Sequence, residues 1–315
     1  MSDAAAGTPA PLGLGKWDGR QVGRPFILSL DGTYWMFYAG SDLWGEWKIG
    51  AAISVDGIAW DRLDDDALLV PPATRIGGGG WHSYESPWAS LTPDGFRLFA
   101  CATGDRPLSA IVSFVSPDGV TWSDPVTELV APPASEGIFQ LRDPWIVEED
   151  GQEALFVTRV LTTANDRESQ LVRYLRTKGG DWTESGETIV DPDGGLISLA
   201  AVLRTERGWT LWCSSFVDGR YRVLVAYSPD LVSWSVPKEA LAGDPASPYE
   251  TQGVFGPMVV RDERGFRMWH LTSSRTSDGM SVAVRLRRSD DGENWTVVSE
   301  RPVFTPRPGV PVRPW

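Results

Sequence analysis

Ser54-Val55-Asp56-Gly57-Ile58-Ala59-Trp60 decides the fold, because it recurs along the chain. Ser116-Pro117-Asp118-Gly119-Val120-Thr121-Trp122 is a second copy. Ser228-Pro229-Asp230-Leu231-Val232-Ser233-Trp234 is a third, with Leu in place of Gly. Ser289-Asp290-Asp291-Gly292-Glu293-Asn294-Trp295 is a fourth, and Gly179-Gly180-Asp181-Trp182 is a worn fifth. The Trp residues are spaced by 62, 60, 52 and 61 positions across the 315 residues. A period of that size means a repeat architecture, and the repeat overrides the two-domain prior that length alone would give.

Asp-Gly between apolar runs is a turn signal. Gly supplies positive φ, and the Asp side chain bonds nearby backbone. The Trp is expected to pack its face under the turn. Each copy follows a short alternating strand: 49–53, 110–115, 170–175, 221–227 and 281–286.

A second motif lies about 30 to 40 residues upstream, enough chain for two more strands. It reads Arg24-Pro25-Phe26-Ile27-Leu28, then Asp31-Gly32, then Tyr34-Trp35-Met36-Phe37-Tyr38. Ser86-Pro87-Trp88, Asp143-Pro144-Trp145, Ala200-Ala201-Val202 and Gly256-Pro257-Met258 open its relatives. Each reads strand, turn, strand. With the strands at the Trp motif, a repeat holds four antiparallel strands. The expected fold is all-β, a five-bladed β-propeller of four-stranded antiparallel blades. Residues 1–15 read as a disordered N-terminal segment, and 16–315 as a single propeller domain.

The net charge of −13 argues against nucleic acid and anionic membrane surfaces, where a basic patch supplies affinity. No run is long enough to span a bilayer, and residues 1–15 lack a signal-peptide pattern, so a cytoplasmic protein is expected. Cys101 and Cys213 read as small buried hydrophobes rather than a bridge or a nucleophile. The glycine run at 74–80 lacks the Lys-Ser/Thr of a phosphate loop. Two His and no His/Cys cluster give no metal set. The Pro-rich tail from Arg301 reads as a segment wrapped around the outside.

In a propeller the first strand of each blade lines the central channel. The aligned leading positions are Arg24, Ser86, Asp143, Ala200 and Gly256, preceded by Gly23, Glu85, Arg142, Leu199 and Phe255. Polar groups therefore converge from the first three repeats, and the last two offer apolar or small ones. Trp44, in the inserted stretch Leu43-Trp44-Gly45-Glu46-Trp47, reads equally as a stacking platform or as blade packing.

Arg142-Asp143-Pro144, the five repeats and the Ser-x-Asp-Gly-x-x-Trp turns resemble the five-bladed glycosidases: arabinanases, β-xylosidases, invertases and levansucrases. The resemblance covers nearly the whole chain as architecture. It implies three funnel carboxylates: a blade-one Asp as base or nucleophile, a second Asp in Arg-Asp-Pro, and a Glu as acid. Asp143 matches the second role. Arg24 stands where a blade-one Asp is implied, and Ala200 has no acidic neighbour. Some members hold a channel calcium ion beside a His, so a single calcium ion stays open as the one cofactor.

Two enzyme readings and a binding reading follow. In the first, Glu85, Asp143 and Glu250, with Tyr84, form a rearranged acid/base set acting on a small glycoside or sugar-like substrate. In the second, the fold serves a cyclase, isomerase or lyase. Arg24 and Arg142 then clamp a carboxylate or phosphate, and Tyr84, His82 and Glu85 handle protons. Trp145 and Arg159 join the substrate contacts. The third reading is a lectin-like protein. Arg142 beside Asp143 also reads as an ion pair holding two blades.

Overall fold

The computed structural model describes residues 16–307, apart from 43–44, 73–79, 105–108, 132–137, 150, 164–165, 178, 187–188 and 277–278. The glycine run, Trp44 and the segment 1–15 thus lie wholly or almost wholly outside the described residues. Among the described residues twenty strands form five consecutive units of four. The first holds β1 (Gln21–Leu30), β2 (Thr33–Ser41), β3 (Trp47–Ser54) and β4 (Asp61–Arg62). The second holds β5 (Trp81–Thr92), β6 (Gly95–Gly104), β7 (Ser109–Ser116) and β8 (Val126–Val130). The third holds β9 (Ile138–Glu149), β10 (Gln152–Thr162), β11 (Arg167–Thr177) and β12 (Thr183–Glu184). The fourth holds β13 (Leu196–Thr205), β14 (Gly208–Val217), β15 (Arg220–Ser228) and β16 (Lys238–Ala242). The fifth holds β17 (Gly253–Asp262), β18 (Gly265–Thr276), β19 (Gly279–Ser289) and β20 (Thr296–Val297).

Within each unit the strands pair in sequence order and antiparallel. The last two units merge into one eight-stranded sheet through a single parallel bridge, Tyr221 to Gly253. The first strands touch in a closed ring: β1 with β5, β5 with β9, β9 with β13, β13 with β17 and β17 with β1. Among the described residues no helix is long and apolar enough to cross a membrane.

The recurring turn joins the third and fourth strands, and its residue types follow from its hydrogen bonds. Ser54 Oγ accepts from the Gly57 N–H at 2.8 Å, and Asp56 Oδ1 accepts from Ile58 and Ala59 N–H at 2.7 and 2.9 Å. Asp118, Asp230 and Asp291 repeat the Asp bonds. These backbone bonds hold the four Asp carboxyls below their usual range. Gly57, Gly119 and Gly292 each take φ 77°, and Leu231 takes φ 61°, so the third copy holds a left-handed residue without glycine.

The motif Trp packs as expected: Trp60 and Trp234 donate to the carbonyls of Gly57 and Leu231. A second indole reaches the turn from the neighbouring unit. Trp269 donates to Gly57 O at 2.9 Å, and Trp212 donates to Gly292 O at 2.8 Å. The core is this stacked apolar filling between sheets, with Trp212, Trp269, Tyr38 and Tyr84 its largest fully buried side chains.

The described part of the tail, 301–307, runs along the outward edge of β19 and packs against the first unit. Val284 bridges Phe304, which is buried. Arg307 pairs with Asp18 at 3.0 Å and Asp65 at 2.5 Å. Asp18 is fully buried and also receives Tyr38 Oη and Arg62 Nε, at 2.8 and 2.7 Å. Pro residues suit such a segment because only isolated bridges are asked of it.

Candidate active site in the funnel

Each first strand carries a break in its pairing register at the same place. The breaks fall between Val22 and Pro25, Glu85 and Trp88, Ser198 and Ala201, and Phe255 and Met258, with β9 broken opposite Phe156–Thr158. The bulged pairs are thus 23–24, 86–87, 143–144, 199–200 and 256–257. Ser86, Asp143, Leu199 and Gly256 take φ of 52°, 56°, 54° and 61°. This corrects the sequence alignment in two repeats. Gly23, not Arg24, matches Ser86 and Asp143, and Leu199, not Ala200, matches them in the fourth unit. Pro25 suggests the wrong register, because it resembles Pro87, Pro144 and Pro257 but follows the bulge instead of lying in it.

A cavity of about 370 Å³ opens over these bulges. Its polar wall comes from the first three units: Arg24, Glu85, Ser86, Arg142, Asp143 and Thr158. Its apolar wall comes from the last two, including Leu199, Phe216, Tyr221, Phe255, Leu271 and Val282. The aromatics form a run: Phe216 to Tyr221 at 4.7 Å, then Tyr221 stacked on Phe255 at 4.6 Å. The division between polar and apolar halves agrees with the sequence reading.

Asp143 is buried and accepts a hydrogen bond from Ser86 Oγ at 2.6 Å. Glu85 receives Arg142 Nη2 at 2.7 Å. The ion pair between the second and third units is therefore Arg142–Glu85. Burial pushes the Glu85 carboxyl up, the Asp143 charge adds to that, and Arg142 opposes it. The Arg142 guanidinium is pulled down by burial, but the charges of Glu85 and Asp143 outweigh this and raise it. Arg24 reaches from the first unit to the fourth, where its Nη2 donates to the carbonyl of Ala200. Its guanidinium lies 5.5 Å from the Trp145 ring. Burial lowers it to about 10, against the pull of Asp143, so it remains a cation at neutral pH.

Other expected site residues lie elsewhere. Glu250 is fully buried beside the fifth unit. It is held by Arg285 at 2.6 Å, by Arg287 at 2.8 and 2.9 Å, and by the Asp244 N–H at 3.0 Å. It does not line the cavity, and its carboxylate is fully engaged. Tyr84 alternates to the face opposite its neighbour Glu85 and packs edge-on against Phe114. Burial pushes its hydroxyl up to about 12, with Asp124 adding to the effect. His82 is half-buried on β5 and does not line the cavity. Arg159 donates from its one nitrogen Nη1 to both Glu184 carboxylate oxygens, at 3.0 and 3.1 Å, and lines a neighbouring cleft. Trp145 lies beneath the site, its indole donating to Val202 O at 2.9 Å. Arg24, Glu85, Arg142 and Asp143 are the four expected residues that come together.

The sequence reading missed Ser86 as the partner of Asp143, Thr158 and Ser169 on the polar side, and the Phe216–Tyr221–Phe255 run. Phe216 and Tyr221 flank Asp218-Gly219, whose φ values of 51° and 77° make a tight hairpin, and that signal was available. Both cysteines are free and buried, as expected, and burial pushes both thiols up. No group of three or more potential metal ligands occurs among the described residues.

The architecture is shared with solved structures. A thermostable family-43 glycoside hydrolase superposes with a TM-score of 0.66 at 15% identity, covering 96% of this chain and 99% of that one. The chain shares its fold with the β-propeller glycosidases. A Cellvibrio cellulosa α-L-arabinanase, solved with arabinohexaose, matches this propeller at TM-score 0.61 and 14% identity, covering 88% and 95% of the two chains. A Bombyx mori family-32 β-fructofuranosidase matches at TM-score 0.62 and 14% identity, covering 89% of this chain and 61% of that one. No family model and no curated relative matches the chain.

Proposed function

We propose that the chain is a carbohydrate-active enzyme whose five four-stranded units are the blades of one five-bladed propeller. Its active site is the funnel over the first-strand bulges, and its substrate is a small glycoside or sugar-like molecule. One observation carries the reading: Glu85 and Asp143, from neighbouring units, meet in a single cavity, and burial holds Glu85 toward its protonated form. Two carboxyl groups with different environments are what acid/base cleavage of an acetal needs. The fold shared with carbohydrate-active relatives supports the same class.

In this reading Glu85 gives its proton to the departing glycosidic oxygen. The C–O bond breaks, positive charge develops on the sugar ring, and a water molecule adds to the anomeric carbon, giving its proton back to the Glu85 carboxylate. Asp143, fixed by Ser86, faces that charge. Arg142 holds Glu85 in place. The aromatic run receives the apolar C–H face of the ring.

The test is a panel of aryl glycosides with wild type, Glu85→Gln and Asp143→Asn. Each substitution is expected to lower kcat/KM by about 10²–10⁴. A dinitrophenyl leaving group, which departs without protonation, is expected to restore much of the rate to Glu85→Gln alone. Sugar binding without turnover, unchanged by either substitution, would leave a lectin-like protein.

A further inference from the structure

The charged groups of the funnel are unequally engaged. Arg142 is paired with Glu85, and Asp143 receives Ser86. Arg24 differs. One of its nitrogens reaches the Ala200 carbonyl, while Nε and Nη1 have no acceptor among the described residues. The residue is only 2% exposed, yet it lines the cavity. Thr158 lines it too, with a buried hydroxyl that also lacks a partner. A buried guanidinium with idle donors is costly unless an anion meets it.

The local charge points the same way. Among the described residues three arginines line the cavity, Arg24, Arg142 and Arg167, against two carboxylates, Glu85 and Asp143. This excess of cations occurs in a chain of net charge −13. The opposite wall is the flat aromatic run. A ligand matched to both walls carries one anionic group and one apolar face.

We propose that the funnel takes a sugar acid, with its carboxylate on Arg24 and its C–H face on Tyr221 and Phe255. A carboxylate fits better than a phosphate dianion, because Arg142 is already paired with Glu85. The sugar part of this inference rests on the proposed function above. The anion part rests on Arg24 alone.

Calorimetric titration of the intact protein with galacturonate, glucuronate, their methyl esters, galactose, glucose 6-phosphate and phenylacetate separates the two parts. At least one uronate is expected to bind about 10- to 100-fold tighter than galactose or its own methyl ester, the range for a charge-assisted hydrogen bond. In Arg24→Gln, with folding checked by circular dichroism, that preference is expected to vanish. The ester comparison uses unaltered protein and does not depend on how the variant folds. Equal binding of acid, ester and galactose overturns the inference and leaves the carbohydrate reading standing. Phenylacetate binding through Arg24 without any sugar binding keeps the anion site and overturns the sugar. Tighter binding of glucose 6-phosphate than of either uronate overturns the carboxylate assignment, and no binding by any probe overturns both readings.

Discussion

The indole of Trp269 donates to the carbonyl of Gly57 at 2.9 Å, joining the last four-stranded unit to the first across 212 residues of chain. The contact is close enough that a Cβ on Gly57 would lie 2.7 Å from the Trp269 ring. Glycine is needed there twice over, for φ 77° and for the approach of the ring.

Trp269→Phe keeps most of the buried ring and loses the N–H, and is expected to cost about 1 kcal/mol. Trp269→Ala empties the seam and is expected to cost about 3–5 kcal/mol. Urea unfolding measures both. Equal losses from the two variants would show that the hydrogen bond and the ring volume cannot be separated as described.

A proton donor works only while protonated. Because Glu85 is raised, activity should fall as pH rises through a value above its ordinary 4.5. Arg142 pulls Glu85 down, so Arg142→Met should move the alkaline limb of the kcat/KM profile to higher pH. A limb that stays in place in that variant would detach it from Glu85.

The Glu250 cluster predicts acid sensitivity. Burial alone would raise the Glu250 carboxyl, but the Asp244 N–H bond and Arg287 outweigh it and lower it. His270, buried beside Arg287, is lowered to about 3. Both groups titrate lower in the folded state, so the unfolded chain binds protons first. Stability should decline as pH falls from 6.5 toward 3 through His270, and further below 4.5 as Glu250 takes a proton in the unfolded chain. Glu250→Gln leaves Arg285 and Arg287 without their anion and should cost about 3–5 kcal/mol at neutral pH. A flat stability profile between pH 7 and 4 would contradict this assignment.

Phe304 fixes the tail against the first unit. The Arg62 guanidinium lies 4.2 Å from its ring, and Tyr38 meets it edge-on at 4.7 Å. Phe304→Ala should cost about 3–5 kcal/mol. Stopped-flow unfolding should show most of that as faster opening, if the seam closes late in folding. A loss below about 1 kcal/mol, the range for surface positions, would place the tail outside the cooperative fold.

The repeat was legible because its backbone dictates residue type. Four N–H-accepting carboxylates require Asp at one place, and left-handed φ favours Gly at the next. The first-strand register was legible only in part. Its bulge is set by φ values that Ser86, Asp143 and Leu199 adopt without being glycine, so residue type gave no signal. Pro25 then pulled the alignment one position off. Glu250 resembled a site carboxylate because Arg285 and Arg287, which bind it, lie 35 and 37 residues further on. Tyr84 was adjacent to a site residue, and adjacency along a strand means opposite faces.

The ring of bulges also bears on how this molecule can change. Ser86, Asp143 and Leu199 are matching slots that each present one side chain to the cavity from a separate sheet, and Gly23 is the same slot left without one. The pairing on either side of a slot is carried by backbone, not by the side chain in it. The slots therefore behave like interchangeable tumblers in a cylinder lock. Chemistry can be rewritten one tumbler at a time while the barrel that holds them keeps turning out the same shape.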